Sequence, residues 1–551
     1  MPGPALRSPV PLAALVLAAA GALVASAPDA VLAGDAEALL AAAKAGDAEA
    51  AGQLGARLAE AGGAAGLRAV VQAAAASTGA AYWPIVRAAA SFRDREALEE
   101  LGRQIVGARG KAAEGAGDLL FCLQENDHPD VVLPLAHVLE RGRHELQLVA
   151  ANQLAFVRTP AAVDALLAAW RADADPELAR RVQGALLTLT GASFATPEEA
   201  RAWWSERREG GVPDHERRAE PPRAHELRTF ARGERERVVV LSGDRSECPD
   251  DPADVYDLDL DSIEEILERR GIPHTVVPKW QFERDPKRYL ARCRALLLNC
   301  NLITPYCVCA PCKAGSVAGE SSGRLTRRCA PDCDRHVYVD HRLSRKSLEV
   351  VRRWVEDEGG YLYTEDWGIV EVLGLLWPKH VRSGTYEAGK GGEIVHNPRL
   401  IRGVDESGAI LSAFQAPLVP RRGSASHPLL RGVWQHPDRL STRMNEHRWR
   451  IDDESPAIEV VGKDVIVLLE SPWLVTLADG HAAVAVTFRP GSKVRLPESG
   501  KATGEAALLK SGRVLHALGH FGRQDADEDG AALEHMLLNF LLEADRRHQG
   551  R

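Results

Sequence analysis

The feature that most constrains this chain is a change in the period of its apolar residues. From residue 35 to about 204 they recur at helical spacing with almost no strand-like alternation; beyond residue 237 short apolar runs alternate with amphipathic helical stretches. In the first region Leu133, Leu135, Val138 and Leu139 are followed by Leu146, Val149, Leu154 and Phe156. After a turn at Thr159-Pro160 the series restarts with Val163, Leu166, Leu167 and Trp170, then Leu178, Val182, Leu186 and Leu189. Residues 145–156 match residues 177–188, an offset of 32, and 94–123 fit one further copy. A period of this size predicts stacked helix pairs, because one pair alone cannot bury its apolar stripe and its neighbours must supply the missing face.

A length of 551 residues leads us to expect two or three domains. Residues 209–236 are charged, contain Pro213, Pro221 and Pro222, and hold few large apolar groups, so they read as a linker. Lys and Arg number 68 against 77 Asp and Glu, a net charge of -9 that gives no electrostatic reason to expect a nucleic-acid partner. The first residues read as an export signal: Arg7, then an apolar run over 10–24, then small residues. That run is short for a bilayer span, which needs about 20 residues. Val31-Leu32-Ala33 before Gly34 fits a cleavage rule, so we expect a signal peptide over 1–33, with an uncleaved N-terminal anchor as the alternative. No later segment reads as a membrane span, and the expected location is periplasmic or secreted.

The region 34–208 resembles HEAT-type helical repeats, through periodicity and not through a diagnostic motif. Its close, LLTLTGASFATPEEARAWW, resembles the terminal unit of many bacterial HEAT-like proteins, with Trp203 and Trp204 expected to pack as a cap. The resemblance implies a scaffold that offers a surface to a protein partner.

In the second region, residues 238–241 form a continuous apolar run bounded by Ser242-Gly243-Asp244, the pattern of a buried parallel strand. A helix is expected over 261–270, with Asp261 and Glu264 spaced as a capping box and Gly271 placed to stop it. Strands are expected over 274–277 and 295–298. Leu348, Val351, Trp354 and Val355 mark one face of the next helix, ended by Gly359-Gly360. A strand over 361–364, a helix over 369–377, strands over 465–469, 483–488 and 513–518, and a final helix over 530–544 complete the series. This alternation predicts an α/α helical repeat domain followed by an α/β doubly wound, mostly parallel sheet with helices on both faces. Ligands of such sheets collect outside the carboxyl ends of the strands. Four such ends carry Ser242-Gly243-Asp244, Asn299-Cys300-Asn301, Glu365-Asp366-Trp367 and Gly519-His520-Phe521. They make Asp366, His520 and Glu365 candidate catalytic groups, and Asp244, Asn299 and Trp367 candidate ligand contacts. Carboxylates beside a His can activate water or hold a divalent cation. The competing reading has Asp366 capping the following helix, Glu365 solvated and His520 packed in a turn.

The segments VVVLSGD, ALLLNC, RRWVEDEGGYLYTEDWG, HPLLRGV, GRVLHALGHFGRQ and LEHMLLNFLLEA, in this order, resemble the class I glutamine amidotransferase-like fold, and ThuA-like proteins in particular. The likeness covers roughly 237–544 and implies a flavodoxin-like domain over 237–546. Amidotransferases carry a Cys on the sharp turn after the fourth strand, paired with a His and an acid. Here that turn reads Thr364-Glu365-Asp366-Trp367, with neither Cys nor Ser; His520 matches the family's His, and Gly522 stands where its acid would be. The resemblance therefore implies the frame without glutamine hydrolysis.

Cys300, Cys307, Cys309, Cys312, Cys329 and Cys333 fall in one insertion, 300–341, with His336 and His341 close by. Their spacing suits a structural zinc or an iron–sulfur centre, whereas export favours disulfides; redox chemistry is a third reading. Cys122 and Cys293 are expected in apolar helix faces, and Cys248 in a loop. The six Asp of 250–261 lack the Gly and terminal Glu of an EF-hand and read as a solvated loop. Arg421 and Arg422 read as surface. Together these features lead us to expect an exported two-domain binding or scaffold protein with a catalytically degenerate amidotransferase-like domain. One alternative is a hydrolase acting on a small polar or carbohydrate-like substrate through the carboxylate and His520 pocket; another is a cysteine-clamped metal protein.

Overall fold

Among the described residues, helices are the regular structure as far as residue 213, and a sheet with helices makes up the part from 237 on. The structure, a computed structural model, describes residues 27–171, 175–213, 237–242, 263–298, 306–307, 336–337, 343–388, 394–401, 413–433, 447–452, 455–491, 511–521, 524 and 527–549. Two compact units, Met1–Leu101 and Gly102–Arg551, divide the chain.

The first unit holds α1 (Ala27–Ala45), α2 (Ala48–Ala61), α3 (Gly63–Ala76), α4 (Tyr82–Ala90) and the start of α5 (Arg95–Gly107). The expected cleavage point after Ala33 falls within α1. Its core is built largely from small side chains, Ala43, Ala51, Ala73 and Ala89 among them, all fully buried. Small residues let backbones approach: a Cβ on Gly55 of α2 would stand 2.7 Å from the Cβ of Ala88 in α4. The Asp94 carboxylate serves two helix starts, accepting the N–H of Gly63 at 3.0 Å and of Ala97 at 2.9 Å.

In the second unit the helices continue as α6 (Lys111–Cys122), α7 (Val132–Arg141), α8 (His144–Leu154), α9 (Pro160–Ala169), α10 (Pro176–Thr190) and α11 (Pro197–Arg207). The two stretches that match in sequence are the equivalent helices α8 and α10. Three successive helices open the same way, with Thr159, Asp175 or Thr196 accepting backbone N–H groups and a Pro next in line. At the end Trp204 is buried and its Nε1–H donates to Asp164 at 2.8 Å. Trp203 stacks on Trp204 at 6.3 Å and leans on Phe194 at 5.3 Å, so the tryptophan pair packs as expected.

Eight strands form the main sheet: β1 (Val238–Ser242), β2 (Thr275–Pro278), β3 (Ala295–Leu298), β4 (Tyr361–Glu365), β5 (Val419–Pro420), β6 (Ile466–Glu470), β7 (Ala483–Phe488) and β8 (Arg513–Ala517). Their order is β5-β6-β7-β8-β4-β3-β1-β2. The run β8-β4-β3-β1-β2 is parallel throughout, and β5, β6 and β7 extend it antiparallel from β8. Every residue of β3 and β4 is buried, which explains their unbroken apolar runs: both faces of a parallel sheet are covered. Helix α12 (Ile263–Arg269) links β1 to β2 and stops at Gly271, φ +62°. Helix α13 (Arg345–Asp357) buries Leu348, Val351, Trp354 and Val355, the face read from the sequence. Helix α14 (Asp527–Gln549) follows β8.

Two features differ from expectation. The helix expected over 369–377 begins as a π-helical turn, Ile369–Leu373, followed by one short α-helical stretch, Gly374–Leu376. Antiparallel pairs are also inserted between β4 and β6, among them Ala413–Pro417 with Arg448–Asp452. Cys122 and Cys293 are both buried, Cys122 at the end of α6 as expected, but Cys293 lies in the bend before β3 and not on a helix face. The Cys293 thiol donates to the Ala295 carbonyl at 3.2 Å, and burial pushes its pKa up. Asp261, Cys248, the Asp-rich run and linker residues 214–236 lie outside the described residues. Among the described residues no helix is long and apolar enough to cross a membrane.

The last helices and the sheet part meet through a buried charge. Asp118 of α6 accepts the N–H of Gly423 at 2.8 Å and of Ala425 at 3.2 Å. Beside it, a Cβ on Gly117 would fall 2.1 Å from Ser426 Oγ. Arg546 of α14 pairs with Glu177 of α10 at 2.6 Å.

Candidate functional site

The carboxyl end of β4 turns sharply. Asp366, the first residue beyond the strand, has φ +37°, the left-handed region that a non-glycine residue occupies at a cost of about 1–3 kcal/mol. Its N–H donates to the Ala517 carbonyl at the end of β8, at 2.9 Å, which ties the bend to the neighbouring strand. Gly368 lets the chain fold back, since a Cβ there would stand 2.7 Å from the Thr364 Cβ. The π-helical turn has Gly368 at its N-cap position, which offers no side-chain cap. The π-helical turn that follows is a wide form found often at functional sites.

Four groups sit around this bend. His520 arrives from the loop after β8 and is 2 % exposed; Asp366 is 3 % exposed and Glu365 1 %. His520 Nε2 lies 3.7 Å from Asp366 Oδ2 and 3.8 Å from Asp452 Oδ2. Both separations exceed a hydrogen bond. Glu365, far from solvated, accepts the phenol O–H of Tyr363 at 3.0 Å. The solvated reading of Glu365 is thereby corrected: strand alternation puts Tyr363 and Glu365 on one face of β4, and that face is covered. Trp367 is half-buried on the same bend.

Asp452 was not legible as a site residue. It ends the strand Arg448–Asp452, in which Trp449 and Ile451 are buried and the residues between them more exposed. That period of two was the available signal. Gln524 fastens this strand to the His520 loop: its Oε1 accepts the Arg450 N–H at 2.8 Å and its Nε2 donates to the His520 carbonyl at 3.0 Å. Gly519 allows the loop to press on Trp449, where a Cβ would meet ring carbon Cε3 at 3.0 Å. At the strand's start Asp529 accepts the Arg448 N–H at 3.0 Å and stands 3.0 Å from His447 Nδ1. Behind the bend the Thr364 hydroxyl and His516 Nδ1 are 2.9 Å apart; burial drives the His516 pKa down to about 3, so this imidazole is neutral.

Chemically, two carboxylates beside one imidazole can support proton transfer between His520 and a bound water or hydroxyl. Among the described residues no three His, Cys, Asp or Glu side chains converge closely enough to hold a metal ion. Asp244 and Asn299 lie outside the described residues, as do Cys300, Cys309, Cys312, Cys329 and Cys333. Cys307 lies on a two-residue strand whose partner residue is His336. No protein-family model matches this chain, and no curated protein matches it either.

Proposed function

We propose that residues 237–546 form a flavodoxin-like domain of the class I glutamine amidotransferase-like kind, ThuA-like in its order of elements, whose elbow carries a carboxylate in place of the thiol. On this reading the domain hydrolyses a small polar or carbohydrate-like substrate. The parallel order β2-β1-β3-β4 supports the frame. The observation that carries the activity is Asp366, held at φ +37° with its carboxylate 3.7 Å from His520. His520 takes the proton of an attacking water, and the carboxylates of Asp366 and Asp452, both near Nε2, stabilise the imidazolium that forms. With no thiol or hydroxyl at residues 365–367, the attack is by water and not through a covalent enzyme intermediate.

The test is turnover of p-nitrophenyl esters, anilides and glycosides by the full chain. Asp366→Asn and His520→Gln are each expected to lower the rate by about a hundredfold or more. If no member of the panel is turned over, or either variant keeps full rate, the hydrolase reading falls. The second reading is then preferred: an exported, periplasmic or secreted scaffold that holds a protein partner on its helical repeats. The lost thiol favours that reading. In both, the 300–341 insertion is clamped by disulfides or by a structural zinc, which thiol titration before and after reduction, with zinc analysis, separates.

A further inference from the structure

A row of accessible side chains runs from the elbow along the carboxyl end of the sheet. β6 and β8 are both antiparallel to β7, so their carboxyl ends lie on one side; Trp473 stands three residues past β6 as His520 stands three past β8. Two strand spacings separate β6 from β8, about 10 Å. The strand Arg448–Asp452 covers the same gap. Its residues 448, 450 and 452 share one face and span about 13 Å, with Asp452 Oδ2 3.8 Å from His520 at one end and the Arg448 guanidinium 5.8 Å from the Trp473 ring centroid at the other. We propose, building on the hydrolase reading, that the substrate is an acidic saccharide, with a uronate carboxylate received by Arg450 and Arg448 and a neighbouring sugar ring on Trp473.

These groups are open to a ligand: Asp452 is 24 % exposed, Arg450 39 % and Trp473 49 %. Trp473 is the one aromatic among the exposed large apolar side chains of the described residues, and an accessible indole offers a sugar ring an apolar surface to lie on. Arg450 Nε stands 3.4 Å from Asp452 Oδ1, which fixes a cation beside one of the two carboxylates near the imidazole. Arg448 is exposed and, among the described residues, pairs with no carboxylate. Gln524 bonds both the Arg450 N–H and the His520 carbonyl, so the row is held at a fixed distance from the imidazole. Two guanidinium groups on one face suit a carboxylate, which each receives with paired N–H donors. Asp366 and Asp452 repel the same group at His520 itself, so the acid belongs on the ring beside the scissile bond and not at the bond.

Trigalacturonate and triglucuronate, each beside its methyl ester, separate charge from shape in calorimetry on the full chain. At least one free acid is expected to saturate a single site about tenfold or more tightly than its ester. Arg450→Gln and Arg448→Gln, with folding checked by circular dichroism, are each expected to bring acid and ester to within about threefold of one another. Trp473→Ala is expected to weaken acid and ester alike, by about fivefold. Equal binding of acid and ester, no saturable binding of either acid, or a preference that survives both arginine variants would each overturn the proposal. The hydrolase reading fails separately: acid-selective binding without turnover in the native chain keeps the ligand and removes the reaction, while turnover of neutral glycosides with no gain for acids does the reverse.

Discussion

The two ends of β4 hold the same kinds of groups in opposite states. At its start, Tyr361 donates to Glu543 at 3.1 Å, while Arg489 and Arg513 reach the same carboxylate at 2.5 and 2.8 Å. Burial works against the charge on Glu543, but the two arginines outweigh it and hold the carboxyl down at about 2. Nearby His427 is driven down to about 3 by burial and by Arg513. At the far end, Asp366 and Asp452 stand 3.7 and 3.8 Å from the single imidazole of His520, longer than hydrogen bonds. Charges closed against one another hold the sheet at one end; at the other, two carboxylates stand beside one imidazole on a strained bend.

The contrast breaks most plainly at the closed end. Glu543→Ala leaves Arg489 and Arg513 facing each other without a counter-ion. The side chain of Glu543 is 26 % exposed, so we expect a loss near the lower end of the buried-pair range, about 3 kcal/mol, in urea denaturation of the full chain. A loss below about 1 kcal/mol, the value of a surface pair, would remove the distinction between the two ends.

A smaller effect follows from acid. His516 and His427 have folded pKa values of about 3 against 6.5 for the free side chain, so below pH 6.5 the unfolded chain binds more protons than the folded one. Their stabilisation is complete above pH 6.5 and drains away as pH falls towards about 3, at about 1.4 kcal/mol per pH unit for each histidine. Glu543 adds a second loss, from 4.5 down to about 2. His516→Leu is expected to flatten the first of these slopes in denaturation midpoints measured across that window; an unchanged slope would mean that His516 is not held neutral.

Smallest is the effect at the open end, and it has the reverse sign. Asp366→Gly removes the carboxylate but relieves φ +37°, so we expect the denaturation midpoint to rise by up to about 1 kcal/mol while turnover is lost. Destabilisation instead would make Asp366 a structural residue.

What the sequence disclosed depended on how local the cause was. Strands over 295–298 and 483–488 were legible to the residue, because continuous apolar runs are what burial on both faces requires. The bend at Asp366 was found from the order of elements, but its left-handed backbone was not, since Asp tolerates many conformations. Asp452 escaped because the alternation of Arg448–Asp452 sits among irregular stretches and pairs with Ala413–Pro417, far back in the chain. Asp118 was beyond reach altogether: it interrupts an apolar helix face, and the amides it holds lie more than 300 residues on, 305 in the case of Gly423. The π-helical turn at Ile369–Leu373 has the same apolar spacing as an α-helix, so only the packing around Gly368 and Thr364 tells them apart.

Helical arrays lengthen by duplicating whole copies, each new one stacking on the last. Here that freedom has a direction. Where Gly117 meets Ser426 there is no room for even one added carbon, so α6 is pegged to a single rung of the structure. A helix pair inserted between α6 and α8 would pull α8 and α10 away from residues 425–432 and α14, which they now meet; the peg itself sets no such limit on what precedes α6.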